Sequence, residues 1–212
     1  MPILKNPKQY KCKNCGEPFF KNNSTQIVCS TSCAIQLSKE KEAVKRAKEE
    51  RKQLNEMKIE VYSKENKKYL QNEINKLSRM IDARFGFETC IDCDKPFGKQ
   101  CDAAHYHGRG SNSSLRYHLD NLHSASSQCN MWSDKHKEGY KIGLEQRYGS
   151  DYANYVINEL PVIFKEIHLS AKEIHEKLKL VRKLIRDFDT MRFNSSISAR
   201  TILNQLIGIY EN

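Results

Sequence analysis

Cys90-Ile-Asp-Cys93, Asp102-Ala-Ala-His105-Tyr106-His107, Asn121-Leu-His123 and Cys129-Asn130 follow one another within a short stretch of this chain. Cysteine anchors stand at both ends, and a carboxylate, a histidine and two asparagines stand between or beside them. His105 is a candidate general base, because a neutral imidazole takes a proton from water at physiological pH. Asp102 and Asn130 offer hard oxygens. A magnesium ion keeps most of its waters and needs only one or two such protein ligands. Asn121 is expected to accept the His105 ring N–H through its amide oxygen and so fix the tautomer.

This order is that of an HNH, or ββα-metal, nuclease site. There a carboxylate or His metal ligand stands beside a general-base His, an Asn orients the base, and a second ligand opening a helix completes a site for Mg²⁺ or Mn²⁺. Such an ion stabilises charge on the scissile phosphate and on the leaving oxygen. A treble-clef-like nuclease module is therefore expected at 87–149. His136 follows Asn130 on the same expected helix and is a further candidate ligand. Taken singly, Asp102 reads as a turn residue, Asn121 as a turn or cap and Asn130 as a helix cap. His107 and His118 read as supporting residues. The ordered set carries the argument.

Upstream, Cys12-Lys-Asn-Cys15 and Cys29-Ser-Thr-Ser-Cys33 bracket a stretch holding Gly16, Pro18, Asn22 and Asn23. A unit so short buries too little surface to fold alone, so residues 1–34 are expected to form a zinc knuckle ligated by Cys12, Cys15, Cys29 and Cys33. Residues 35–86 form a helical linker. Its first half is dense in Lys, Glu, Arg and Gln, a helix-favouring composition with a poor apolar seam. Its second half carries Leu70, Ile74, Leu77, Ile81 and Phe85 at helical spacing, with Gly86 placed to end it. Residues 150–212 read as a helical C-terminal region, with helices over Tyr152–Leu160, Ile163 to about Met191, and Ala199–Ile209. The expected class is α+β and mostly helical.

The formal charge of +10 favours a polyanionic partner, nucleic acid first. Zinc-bound cysteines are thiolates, so filling two knuckles would lower that excess by about three or four units without abolishing it. Lys99, Arg109, Arg116, Lys135, Lys137 and Lys141 lie near the central motif as candidate DNA contacts, of the kind that give affinity without reading sequence. No apolar run is long enough to cross a bilayer, and the first residues lack a secretory h-region. The expected compartment is the cytoplasm, where paired cysteines bind metal rather than form disulfides.

The central residues Cys90 to Cys93, Asp102 to Tyr106, Asn121 to His123 and Cys129-Asn130, with Tyr140 and Arg147-Tyr-Gly149, resemble the phage NinG family, also called Rap. That resemblance implies a role in phage recombination, in the bacterial host, cutting branched DNA such as Holliday junctions. The Cys129-Asn130 pair also looks like that of junction-resolving HNH nucleases, in which the Asn holds the metal. Two positions depart from the family pattern. Ser126 stands where the second knuckle usually begins with Cys, which leaves Cys90, Cys93 and Cys129 for a site that wants four ligands. His123 or Cys101 is the candidate fourth ligand; otherwise the turn persists without zinc. Lys135-His136 replaces the usual Gly-Asn.

The expectation is a structure-selective endonuclease acting as a homodimer on branched double-stranded DNA, with one or two structural zinc ions. The alternatives are a nonspecific or nicking HNH nuclease, and a zinc-stabilised DNA-binding scaffold without catalysis.

Overall fold

The computed structural model describes residues 8–132 and 136–210. The chain divides into two compact units, Met1–Lys58 and Ile59–Asn212. The boundaries expected at 86/87 and 149/150 fall inside the second unit. No described helix is long and apolar enough to cross a membrane.

In the first unit, β1 (Gln9–Lys11) and β2 (Pro18–Phe20) pair antiparallel, with Tyr10 opposite Phe19. The turn after Cys12 closes on Gly16, whose φ of 77° suits a residue without Cβ. Helix α1 (Thr31–Val61) begins where Ser30 Oγ accepts the Cys33 N–H at 3.2 Å. Cys33 is its one buried residue. The rest of α1 is a solvated helix, as its charged composition and weak seam imply.

The second unit is built on α2 (Ser63–Arg84). Leu70, Ile74, Leu77 and Ile81 are fully buried along one stripe. They pack against Ile174, Leu178, Val181 and Leu184 of α7 (Ala171–Asp187) and Ala199, Leu203 and Ile207 of α8 (Ser196–Ile207). Helix α7 starts later than the apolar pattern suggested. Ser170 and Glu173 form a capping box, which satisfies the first turn at that point.

Beside the apolar stripe, α2 carries a buried polar row, Gln71, Ser78 and Asp82. Spacings of seven and four keep these on one side of the helix. Gln71 Nε2 donates to the Arg116 carbonyl at 2.9 Å, Ser78 Oγ to the Leu122 carbonyl at 2.7 Å, and Asp82 Oδ2 accepts the Ser124 N–H at 2.7 Å. These bonds anchor a hairpin of β3 (Cys101–His105) and β4 (Leu122–Ser126), registered from Cys101 opposite Ser126 to His105 opposite Leu122.

Strand alternation sends Ala103 and Leu122 toward α2. It sends Ala104 and Ala125 into a second core with Cys90, Ile91, Tyr140, Leu144, Tyr152 and Val156. Small residues at 103, 104 and 125 let cores close on both faces. Helix α3 (Ser127–Trp132) follows β4 directly, then α4 (His136–Tyr148), α5 (Ser150–Asn154), a wider turn, and α6 (Leu160–Ile163). Gly139 and Gly143 press α4 onto the Cys90–Cys93 turn, since a Cβ there would lie 2.3 Å from the Asp92 carbonyl oxygen and 1.9 Å from that of Ile91.

Arg200 of α8 is wholly buried, donating to the Leu119 and Leu122 carbonyls and to Asp82 Oδ1. Removing one partner of a buried, hydrogen-bonded pair strands the other charge. Arg200→Met is expected to lower stability by about 3–5 kcal/mol in urea unfolding. Asp82→Asn added to it removes the stranded charge while keeping an acceptor for the Ser124 N–H, and should recover part of the loss; a further loss of stability would contradict this account.

Candidate active-site groove and metal centres

Strand β3, the segment after it and the start of α3 border a groove that α2 closes from the side. Asp102, His105, Arg109, Asn130 and His136 line it. By alternation Asp102 and His105 leave opposite faces of β3, and both reach the groove past the strand's unpaired edge. The groove thus brings together four of the expected catalytic or metal-binding residues, together with Arg109.

The Asp102 carboxylate accepts from Gln100 Nε2 at 2.8 Å and from Asn130 Nδ2 at 3.4 Å. Both donors are neutral amides, and a flip of Asn130 turns its oxygen to the same point. One carboxylate and one amide oxygen suit a hard cation that retains most of its waters.

His105 is half-buried in α2's shadow. Its Nε2 lies 3.0 Å from the Arg116 carbonyl, which can only accept. Nε2 therefore carries the proton and Nδ1 keeps its lone pair. Burial pushes the ring's pKa down to about 4, against which the Arg116 carbonyl acts only partly.

Asn121 does not take the expected role. Its side chain is fully buried and pins the segment after β3 instead: Oδ1 accepts the His107 N–H at 2.8 Å, and Nδ2 donates to the His107 and Leu115 carbonyls at 3.0 and 3.1 Å. The Arg116 carbonyl orients His105 in its place, and Gln71 holds that carbonyl.

His136 opens α4, and its Nδ1 lies 2.7 Å from Asp92 Oδ2. The Asp92 carboxylate raises the ring's pKa, burial opposes it, and the His105 backbone adds to the rise. Asp92 was not foreseen. It sits inside the C-x2-C turn, where a sequence reading credits only the cysteines. Asn72, Asn75 and Arg79 of α2 also line the groove and were missed. Their spacing marks one polar helix face, but nothing in the sequence says what that face borders.

The candidate DNA contacts disperse. Arg109 borders the groove. Arg116 turns its guanidinium to Gln71 Oε1 at 3.2 Å. Lys99 lines a separate cavity beside Cys93 and Cys129. Lys137 is exposed, and Lys141 pairs with Glu145 across a helical turn at 3.9 Å. Lys135 lies outside the described residues.

Among the described residues, two cysteine groups bring their ligand atoms within 4.8 Å of one another: Cys12, Cys15, Cys29 and Cys33, and Cys90, Cys93 and Cys129. Both could hold zinc, and the first offers the four thiolates of a closed tetrahedral site. In the second, neither expected fourth ligand is present. His123 is buried with Nδ1 3.0 Å from the Tyr140 hydroxyl, and Cys101 turns its sulfur toward its own strand and α2. Ser126 fills the corner. Its N–H donates to Cys90 Sγ at 3.2 Å and its Oγ accepts the Cys129 N–H at 3.2 Å. Burial pushes the Cys90 thiol up, but hydrogen bonds led by that Ser126 N–H more than offset it and lower its pKa overall.

Two predictions follow from this geometry. Burial also holds His118 to about 4 and His123 well below its ordinary value. The unfolded chain takes up these protons near pH 6.5, whereas the folded chain refuses them until about pH 4 for His105 and His118. Stability present at neutral pH is therefore lost as pH falls through that window, by up to about 1.4 kcal/mol per pH unit for each ring. Ring resonances of these three histidines should stay unshifted from pH 7.5 to 5 in NMR, and titration near 6.5 would contradict their burial. Secondly, a graded chelator should strip zinc from the three-thiolate site before the four-thiolate site. Ser126→Cys should abolish the difference, and equal release in the unaltered protein would count against it.

The chain matches, over residues 4–190, the family described as Bacteriophage Lambda NinG protein. No curated protein and no solved structure gives a match.

Proposed function

This chain belongs to the bacteriophage Lambda NinG family, and we propose that it is a metal-dependent endonuclease of the HNH type that cuts branched DNA in phage recombination. The observation that carries the reading is the convergence of Asp102, His105 and Asn130 on one groove bordered by a hairpin and the helix after it.

His105 Nδ1 takes a proton from a water molecule as that water's oxygen forms a bond to phosphorus. The bond from phosphorus to the bridging sugar oxygen breaks, that oxygen leaves with the electron pair and is protonated from solvent, and His105 returns its proton to solvent. Burial keeps the ring neutral in the free protein, so it is available as a base across the physiological range. An arriving phosphate places negative charge beside it and favours proton uptake at the moment it is needed. Asp102 and Asn130 would hold Mg²⁺ or Mn²⁺, with His136 as a third ligand, and the bound ion would neutralise charge on the phosphate and the leaving oxygen. Arg109 supplies positive charge at the groove's rim.

Resolution of a junction needs two symmetric cuts, so the acting form is a homodimer. The turn of Cys90, Cys93 and Cys129 supports the groove, since Cys129 adjoins Asn130, and a zinc ion held there would take no part in the chemistry.

In Mg²⁺, His105→Ala is expected to slow cleavage of a four-way junction by about 100-fold or more. Unchanged cleavage would sink the mechanism. Linear duplex of equal length is expected to be cut far more slowly than the junction. Equal rates would make the protein a nonspecific nuclease, and tight junction binding without cleavage in either Mg²⁺ or Mn²⁺ would make it a scaffold.

A further inference from the structure

Asp92 is the least explained polar group near the groove. Its side chain is only 4% exposed. One carboxylate oxygen is bonded to His136 Nδ1 at 2.7 Å, and the other is buried with no hydrogen-bond partner among the described residues. Leaving a carboxylate oxygen dry and unpaired is costly, so the contact with His136 has to repay a good part of the desolvation.

The arrangement is rigid from both ends. Asp92 lies between Cys90 and Cys93, inside a turn closed by the Asp94 N–H to the Cys90 carbonyl at 2.9 Å and by the Cys90 N–H to the Lys95 carbonyl at 2.8 Å. His136 stands at the start of α4, whose Gly139 and Gly143 seat directly on the same turn. The ring of His136 also meets Tyr140 edge-on, with centroids 5.4 Å apart. The imidazole thus has Nδ1 committed to Asp92, and the ring lines the groove together with Asp102 and Asn130, where the His105 backbone carbonyl also faces it.

We propose that Asp92 is a positioning residue that holds His136 in the Nδ1–H tautomer, so that Nε2 is presented to the groove as a nitrogen ligand beside Asp102 and Asn130. A ring nitrogen oriented by a carboxylate is a better donor to a metal than a free one, and losing such a support generally costs about 10–100-fold in metal affinity. Adding imidazole to two hard oxygens also moves the groove's preference from Mg²⁺ toward Mn²⁺ and its heavier neighbours. This rests on the reading of the groove as a divalent-cation site, but its first test does not.

The first measurement is the ¹⁵N shift pair of the His136 ring in the zinc-loaded, full-length protein. The unaltered chain and Asp92→Asn, whose amide oxygen can still accept, should show the Nδ1–H form, and Asp92→Ala a mixture of tautomers. The same mixture in the unaltered chain would overturn the proposal. The second is Mn²⁺ titration followed by calorimetry and by paramagnetic broadening at Asp102. Asp92→Ala should weaken Mn²⁺ binding about 10–100-fold with zinc content unchanged, and Asp92→Asn should restore most of it. In a His136→Ala background, Asp92→Ala should cost nothing further. An equal loss in that background would reduce Asp92 to a structural residue and overturn the assignment. Absence of any Mn²⁺ effect at Asp102 in the unaltered protein would instead overturn the groove as a cation site. The ring tautomer would then still decide whether Asp92 orients His136.

Discussion

The guanidinium of Arg200 is enclosed on every side, and the partners it holds belong to otherwise separate parts of the second unit. Asp82 belongs to α2, while Leu119 and Leu122 lie at the entry to β4. Asp82 in turn accepts the Ser124 N–H with its other oxygen, Oδ2, while Oδ1 also accepts the Tyr148 hydroxyl at 3.3 Å. A charge buried this deeply is tolerated only when most of its hydrogen bonds are made; here both terminal nitrogens are satisfied and only Nε lacks a partner among the described residues, so the helices and the hairpin are held to one mutual arrangement. The neighbouring Asp120 repeats the device on a smaller scale, accepting from the Tyr152 hydroxyl at 2.7 Å and from Asn204 Nδ2 at 3.1 Å.

The hairpin's placement explains the groove. With apolar cores on both faces, β3 has only its unpaired edge left to offer to solvent, and the chemistry collects there. The supports lie behind it: Gln71 holds the Arg116 carbonyl that orients His105, Asn121 ties the following segment to β4, and Asp92 holds His136. None of these three needs to reach a substrate. Each converts a flexible side chain or loop into a fixed position, which is what a site on a short two-stranded hairpin requires.

The two cysteine groups differ in what surrounds them. The N-terminal group sits in a unit with a core of only a few residues, so a bound metal would have to supply much of its stability. The group of Cys90, Cys93 and Cys129 adjoins a substantial core, and Ser126 keeps the turn's hydrogen bonds with one thiolate fewer. Three cysteines suffice there because packing already fixes the turn's position.

The residues alone determined a good deal. The stripe from Leu70 to Ile81, the punctuation at Gly86, the paired cysteines and the order from Asp102 to Asn130 are local patterns, and local patterns survive without knowledge of the fold. Family membership also rests on them. What surrounds each polar group was decided only by tertiary structure. The motif order pointed to Asn121 as the partner of His105, yet Asn121 bonds the His107 backbone and the Arg116 carbonyl takes the ring N–H. His123 looked like a spare zinc ligand and is instead clasped between tyrosines of α4 and α5. Arg200 belongs to no local pattern in the sequence, yet it is wholly buried against Asp82. A residue's type limits what it can bond, but hydrogen-bond partners far apart in the chain are chosen by packing, and packing is a property of the whole fold.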